Sequence, residues 1–172
     1  MIPPAPVPRP PDDSSSSNGS AANSDTITLG SVTTNSGTAA AYGEAEVAGF
    51  KLAVDEINAK GGINGKKVKL ESMDDKGDAT EASNAFNKLA GDNSVLGVVG
   101  PTISSTTGAV APLADQSKLP AIAPAATSDS IETGGYMFRT CFKDSYQGEI
   151  AAKFAAETLK VKKVAVLYGT GD

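Results

Sequence analysis

Histidine and tryptophan are missing from these 172 residues, cysteine occurs once, at Cys141, and arginine twice, at Arg9 and Arg139. Each shortage removes a class of function. Without histidine, general-base chemistry near neutral pH falls to carboxylates or lysine, and a His/Cys zinc site has no ligands. A single cysteine forms no intrachain disulfide, and Cys141 reads as a small buried hydrophobe. Two arginines in a chain of net charge −5 make no basic face for phosphates, which argues against nucleic acid as a partner. Aromatic residues are 5% of the chain and hydrophobic residues 40%, so the core is expected to be built from Ala, Val, Leu and Ile. No apolar run approaches the ~20 residues of a membrane span. Nucleotide motifs are also lacking: the exit of the first strand reads GSVTTNSG instead of G-x-G-x-x-G, and no glycine-rich loop ends in GKS or GKT.

What is present is arranged in blocks. Residues 1–13, MIPPAPVPRPPDD, carry proline at a density that holds a chain extended, and they lack the apolar stretch of a secretory signal. SSSSNGSAANS, residues 14–24, has the composition of a flexible tether. Residues 1–25 are therefore expected to be tail and linker. From Thr26 the texture changes, and ITLGSV reads as a strand leaving into TTNSGTAAAYG. Val47, Phe50, Val54 and Ile57 then recur at helical spacing, with Glu44 and Glu46 toward the N-terminal end and Lys60 before a glycine pair at the other. An Asn-Gly turn leads into KVKLESMDD, a second strand. Asp78 stands three residues before Glu81 in the pattern of a capping box and opens a helix with Ala82, Ala85, Phe86 and Leu89 on one face. VLGVVG predicts a third strand, STTGAVAPLADQSK a helix despite Pro112, LPAIAP a fourth strand and YMFRTCF a short further one. GEIAAKFAAETLK predicts another helix and KKVAVLYG a last strand. This alternation predicts an α/β fold, an open parallel sheet with helices on both faces and right-handed crossovers.

In such a sheet, ligands gather outside the carboxyl ends of the strands. Two exits there share a composition: VLGVVG leaves into PTISSTTGAV, and LPAI into APAATSDS. Ser104 is placed to cap the third helix, whose first N–H groups, those of Ser105 and Thr106, have no partner inside it and favour an anion. Ala126 and Thr127 can present backbone N–H groups with little side chain in the way, and Thr127 adds a hydroxyl. Together these groups suit a carboxylate without any arginine. The same residues also read more plainly, Ser104 as a helix cap and Ala125, Ala126 and Thr127 as a compact turn. Tyr42 reads either as a ring at that edge or as a half-buried tyrosine on a loop. Asp74, Asp75 and Asp78 of MDDKGD read as a solvated loop and a cap, because the acidic exit of a phosphoacceptor domain belongs after the first strand. A nucleophilic Ser104 or Ser105 would have no histidine base. No catalytic residue, metal site or cofactor is assigned.

The stretches ITLGSVTTNSGTAAAYGEAEVAGFKLAVDEINAKGGINGKKVKLESMDD, VVGPTISSTT and LPAIAPAATSDSI carry a family resemblance, and DEINAKGGINGKKV is the most specific part. Over residues 26–172 the chain resembles type I periplasmic-binding-protein-like receptors of the leucine/isoleucine/valine-binding type, the solute receptors of ABC importers. The resemblance implies a Rossmann-like first lobe over residues 26–144 and the beginning of a second over residues 145–172, truncated within this sequence. It implies a receptor that holds a small amino acid, of branched-chain type, by its carboxylate between two lobes, without catalysis or cofactor. Matched residue by residue, Ser104 takes the carboxylate-binding serine, with Ser105 beside it. Ala125, Ala126 and Thr127 take the second loop, Thr102 and Ile103 line the side-chain pocket, and Tyr42 stands at its mouth. The anion for the ligand's ammonium group belongs to the absent lobe, so this chain is expected to carry half a site. Implied partners are the amino acid and a membrane permease, with self-association through the exposed beginnings of the second lobe. The implied location is periplasmic or extracellular, as a membrane-anchored lipoprotein whose signal and anchor lie outside this sequence. Two other roles remain compatible: the ligand-sensing ectodomain of a signalling receptor, and an amide-sensing or enzyme-like relative.

Overall fold

Residues 26–131 and 135–167 are described by the computed structural model. Strand β1 (Thr26–Thr33) leads to helix α1 (Ala40–Ala59), β2 (Lys67–Asp74), α2 (Ala79–Ala90), β3 (Val95–Val99), α3 (Ser104–Ser117), β4 (Ala121–Ala123), β5 (Met137–Arg139) and α4 (Asp144–Lys153). The five strands form one sheet in the order β2-β1-β3-β4-β5, and every neighbouring pair is parallel. This is the α/β architecture expected from the alternation of strands and helices. The predicted N-terminal tail and linker lie outside the described residues.

The order dictates where the helices sit. The chain moves one way from β1 to β2 and the other way from β2 to β3, so right-handed crossovers put α1 and α2 on opposite faces. Helix α3 makes its crossover in the same direction as α2 and packs beside it. The core lies between this helix pair and the sheet: Val32, Phe86, Leu89, Val98, Val110, Ala114, Ala121 and Met137 are all at most 2% exposed. Leu89 comes so close to β1 that a Cβ on Gly30 would stand 2.7 Å from its Cδ1. On the other face α1 covers β1 and β2 and buries no side chain completely. Beyond it that face is open, with Leu96, Ile122 and Phe138 at 59, 42 and 47% exposure.

Local chemistry explains the boundaries. The turn before β2 closes by reciprocal bonds between Ile63 and Lys66, with Asn64 and Gly65 at φ 50° and 79°, the pairing an Asn-Gly hairpin turn requires. Asp78 caps α2 by accepting from the Thr80 and Glu81 N–H groups at 2.8 and 2.9 Å. Glu81 does not complete the box. The Asp78 N–H goes to the Asp75 carbonyl, and Glu81 faces Lys76 at 3.7 Å.

Several expectations are corrected. Helix α1 begins at Ala40, so Tyr42 lies on a helix and not on a loop. Cys141 is only partly buried. KKVAVLYG does not form a strand over residues 164–167, where Val164, Val166 and Leu167 are 69, 80 and 100% exposed; its last residues lie outside those described. An apolar run becomes a strand only beside a partner, and no described segment pairs with it. The preceding helix starts earlier than GEIAAKFAAETLK suggests and ends in a π-helical turn, Phe154–Thr158. None of the described helices is long and apolar enough to cross a membrane.

Candidate functional site

The carboxyl ends of β1, β3 and β4 are neighbours in the sheet, which brings together the exits singled out in the sequence. At the β3 exit the chain reverses through Gly100, whose φ is 111°. A Cβ there would collide with the Val32 carbonyl, so only glycine lets β3 pass β1 and deliver residues 101–104 to the edge. Ser104 is the first residue of α3 and not its cap. Ile103 occupies the cap position and makes no side-chain capping bond. The Ser104 hydroxyl instead accepts the Ser128 N–H at 3.2 Å, tying the β3 exit to the β4 exit and leaving its own proton to donate.

The first bond into α3 runs from the Thr107 N–H to the Ile103 carbonyl at 2.9 Å. The N–H groups of Ser105 and Thr106 therefore have no partner inside the helix, at the end where the dipole favours negative charge; Ser105 is exposed there and Thr106 is fully buried. Ala126 and Thr127 sit on the facing loop, and their N–H groups have no acceptor among the described residues. Both loop carbonyls are occupied: Ala126 accepts from Arg139 Nη1 at 3.1 Å and Thr127 from the Asp144 N–H at 3.0 Å. With the oxygens turned to these donors, the edge presents N–H groups and hydroxyls, an arrangement that suits an anion.

Thr102 is placed differently from the expectation that its side chain lines a pocket. It is fully buried, its Oγ1 accepts the Thr34 N–H at 3.0 Å, and its hydroxyl donates to Glu46 Oε2 at 2.7 Å. Ile103 is partly exposed beside it, Ser105 is exposed, and Ala125 and Thr127 are partly exposed, whereas Ala126 is buried. Tyr42, near the start of α1, presents a ring that is 64% exposed. Among the described residues, surface hollows lie elsewhere, one along the β2 and α2 ends around Met73 and Asp92 and another, an apolar groove, on α4. The candidate site is thus an open edge.

Beneath it lies a polar network that sequence reading did not reveal. Asp75, expected on a solvated loop, is fully buried: its Oδ1 accepts the Thr34 hydroxyl at 2.6 Å and the Gly77 N–H at 2.9 Å. Burial raises the Glu46 carboxyl above its ordinary range, and the nearby Asp75 adds to this, against the lowering effect of the Thr102 bond. Arg139, one of two arginines in the chain, donates to the Ala126, Ser128 and Ile131 carbonyls and shapes the second loop from behind. Only one local signal pointed to these residues: acids and an arginine next to strands of otherwise apolar composition.

The periplasmic binding protein family model matches residues 26–171. A Leu/Ile/Val-binding protein, BraC3, of Rhizobium johnstonii is 38% identical over 147 residues, covering 84% of this chain and 40% of that protein. The Leu/Ile/Val-binding protein of Escherichia coli is 36% identical over 135 residues, covering 77% of this chain and 36% of its own length. Among solved structures, the branched-chain amino acid transporter substrate binding protein LivJ of Streptococcus pneumoniae, in complex with isoleucine, is similar with a TM-score of 0.73 and 41% identity, over 78% of this chain and 39% of that one. The chain therefore spans well under half the length of these relatives.

Proposed function

The chain belongs to the periplasmic binding protein family, and from that premise we propose that it is the first ligand-binding lobe of an extracytoplasmic amino-acid receptor serving an ABC importer. Residues 26–144 form that lobe in this reading, and residues 145–172 begin the second. The ligand is a small amino acid of branched-chain type. Its carboxylate lies between the α3 end and the β4 exit, taking the N–H groups of Ser105 and Thr127 and the hydroxyls of Ser104 and Thr127, with the buried Thr106 and Ala126 behind them. Ile103 and Tyr42 border its side chain. No residue performs covalent chemistry.

The supporting observation is the bond between the Ser128 N–H and Ser104 Oγ at 3.2 Å, which holds the two donor-bearing exits against each other. A carboxylate has lone pairs for about four such donors, so both loops can bind one ligand group. With one face of the ligand left in water, binding to this chain alone is weak, and millimolar affinity is expected.

The test is an amide-resolved NMR titration with L-isoleucine and with its decarboxylated amine. Shifts at Ser104, Ser105, Thr106, Ala126 and Thr127 with the acid but not the amine are expected; equal response to both would overturn carboxylate recognition. The reading also includes membrane anchoring outside this sequence and docking of the complete receptor to a permease. It includes pairing of two copies of this chain through α4, whose Phe142, Tyr146, Ile150 and Phe154 line the apolar groove at 53, 59, 46 and 53% exposure.

A further inference from the structure

A buried polar network lies under the candidate edge. Thr34, Asp75 and Thr102 are fully buried, and a continuous chain of bonds joins them to Glu46. Donor accounting gives the chain a direction. Thr102 Oγ1 already accepts the Thr34 N–H, so its hydroxyl proton goes to Glu46 Oε2 at 2.7 Å. The Thr34 hydroxyl then goes to Asp75 Oδ1 at 2.6 Å, and Asp75 receives the Gly77 N–H as well. Four segments are fastened in this way: α1, and the exits of β1, β2 and β3. Thr102 lies one residue before the Ile103 cap and two before Ser104.

We propose that Glu46 is a positioning residue for ligand recognition, holding the 102–106 turn, through Thr102, in the geometry that presents the Ser104 hydroxyl and the first N–H groups of α3. This rests on the carboxylate-edge reading above. Three observations support the role. Glu46 is the acceptor for the Thr102 hydroxyl, and Thr102 cannot turn to solvent because it is fully buried. The acceptor comes from a helix on the far side of β1 from α3, so it fixes the turn against the sheet and not merely against itself. Glu46 is also not a surface ion-pair partner: among the described residues no lysine or arginine pairs with it, and its Oε1 is buried without a partner. Of the elements around it, the β2 exit contributes the carboxylate of Asp75, while the β1 and β3 exits contribute the hydroxyls of Thr34 and Thr102 and no charge.

A side chain that only fills space and one that positions a turn differ in what glutamine does. Glu46→Gln keeps an oxygen for the Thr102 hydroxyl, whereas Glu46→Ala leaves that hydroxyl buried without an acceptor. The experiment uses the full 172-residue chain, ¹⁵N-labelled, as wild type, E46Q and E46A, titrated with L-isoleucine at neutral pH. Glu46→Ala is expected to weaken binding about tenfold and to shift the amides of Thr34 and residues 102–106 while those of α2 stay in place. Glu46→Gln is expected to restore both. Unchanged affinity and unchanged turn amides in E46A would overturn the proposal, as would an E46Q variant no better than alanine. A wild type that ignores isoleucine sinks the carboxylate reading, and positioning is then decided by the turn amides alone. Should E46A not fold, the pH titration of wild type against E46Q decides: the Thr34 and Thr102 amides of the wild type share a pH response that E46Q lacks, and an identical response in the two chains would overturn the proposal.

Discussion

Arg139 spends its guanidinium on three carbonyl oxygens, those of Ala126, Ser128 and Ile131, at 3.1, 2.8 and 2.8 Å, and so holds the loop that carries Thr127. Arg139→Ala should destabilise the fold by about 3 kcal/mol, and Arg139→Lys should recover less than half of it, because an ammonium cannot span a fork; urea denaturation of the two variants checks the order. Glu46 gives the residue scale a pH signature. Its folded carboxyl is raised by burial, so its contribution to stability is fully present below the unfolded value and is lost as pH rises through the folded one. Asp74 has the opposite sign. Burial raises it, but the Lys76 N–H, the Ser36 hydroxyl and the Asn35 N–H outweigh that and lower it, so its contribution is present at neutral pH and lost in acid. Thermal melts between pH 4 and pH 8 should show E46Q gaining on the wild type as pH rises; a constant gap would show that Glu46 does not titrate in the fold. The structural roles of Glu46 and Arg139 did not show in the sequence. One acid among 20 and one of two arginines carry no pattern, and their roles appear only when strands far apart in the chain lie side by side.

The elements were legible where a local signal exists. Helix α2 was readable from Asp78 to Leu89 because its cap and its buried stripe are encoded within twelve residues, and Phe86 and Leu89 are at most 1% exposed. Phe86→Ala should cost about 3–5 kcal/mol, read from chemical denaturation. The start of α1 was not readable. Ala39 makes no capping bond and no acid lies in the first turn, so TTNSGTAAAYG carried no start signal. Gly100 governs the β3 exit. Gly100→Ala should lose on the order of 2–4 kcal/mol, since it combines a positive φ with a collision against the Val32 carbonyl, and the lost stability should come with shifted Ser104 amides in NMR. Intact Ser104 shifts would show that the strand tolerates a Cβ there.

At the scale of the whole molecule, apolar surface is unevenly shared. The sheet face of Leu96, Ile122 and Phe138 is open, and α4 buries no residue at all. Concentrated samples should therefore associate through α4, and Ile150→Glu should return them to monomer in sedimentation velocity; a wild type that stays monomeric would remove that partner. What the sequence by itself determined is the succession of strands and helices as far as β5, the parallel sheet and the two exits rich in small residues and hydroxyls, because periodicity, caps and turn residues are written within ten or twenty positions. Which hydroxyls remain at the edge was decided by the tertiary structure. Thr34 reaches Asp75 across 41 positions and Thr102 across 68, and Thr102 reaches Glu46 across 56. Bonds of that reach leave no periodic trace, yet they bury Thr102 in the scaffold and leave Ser104 at the edge.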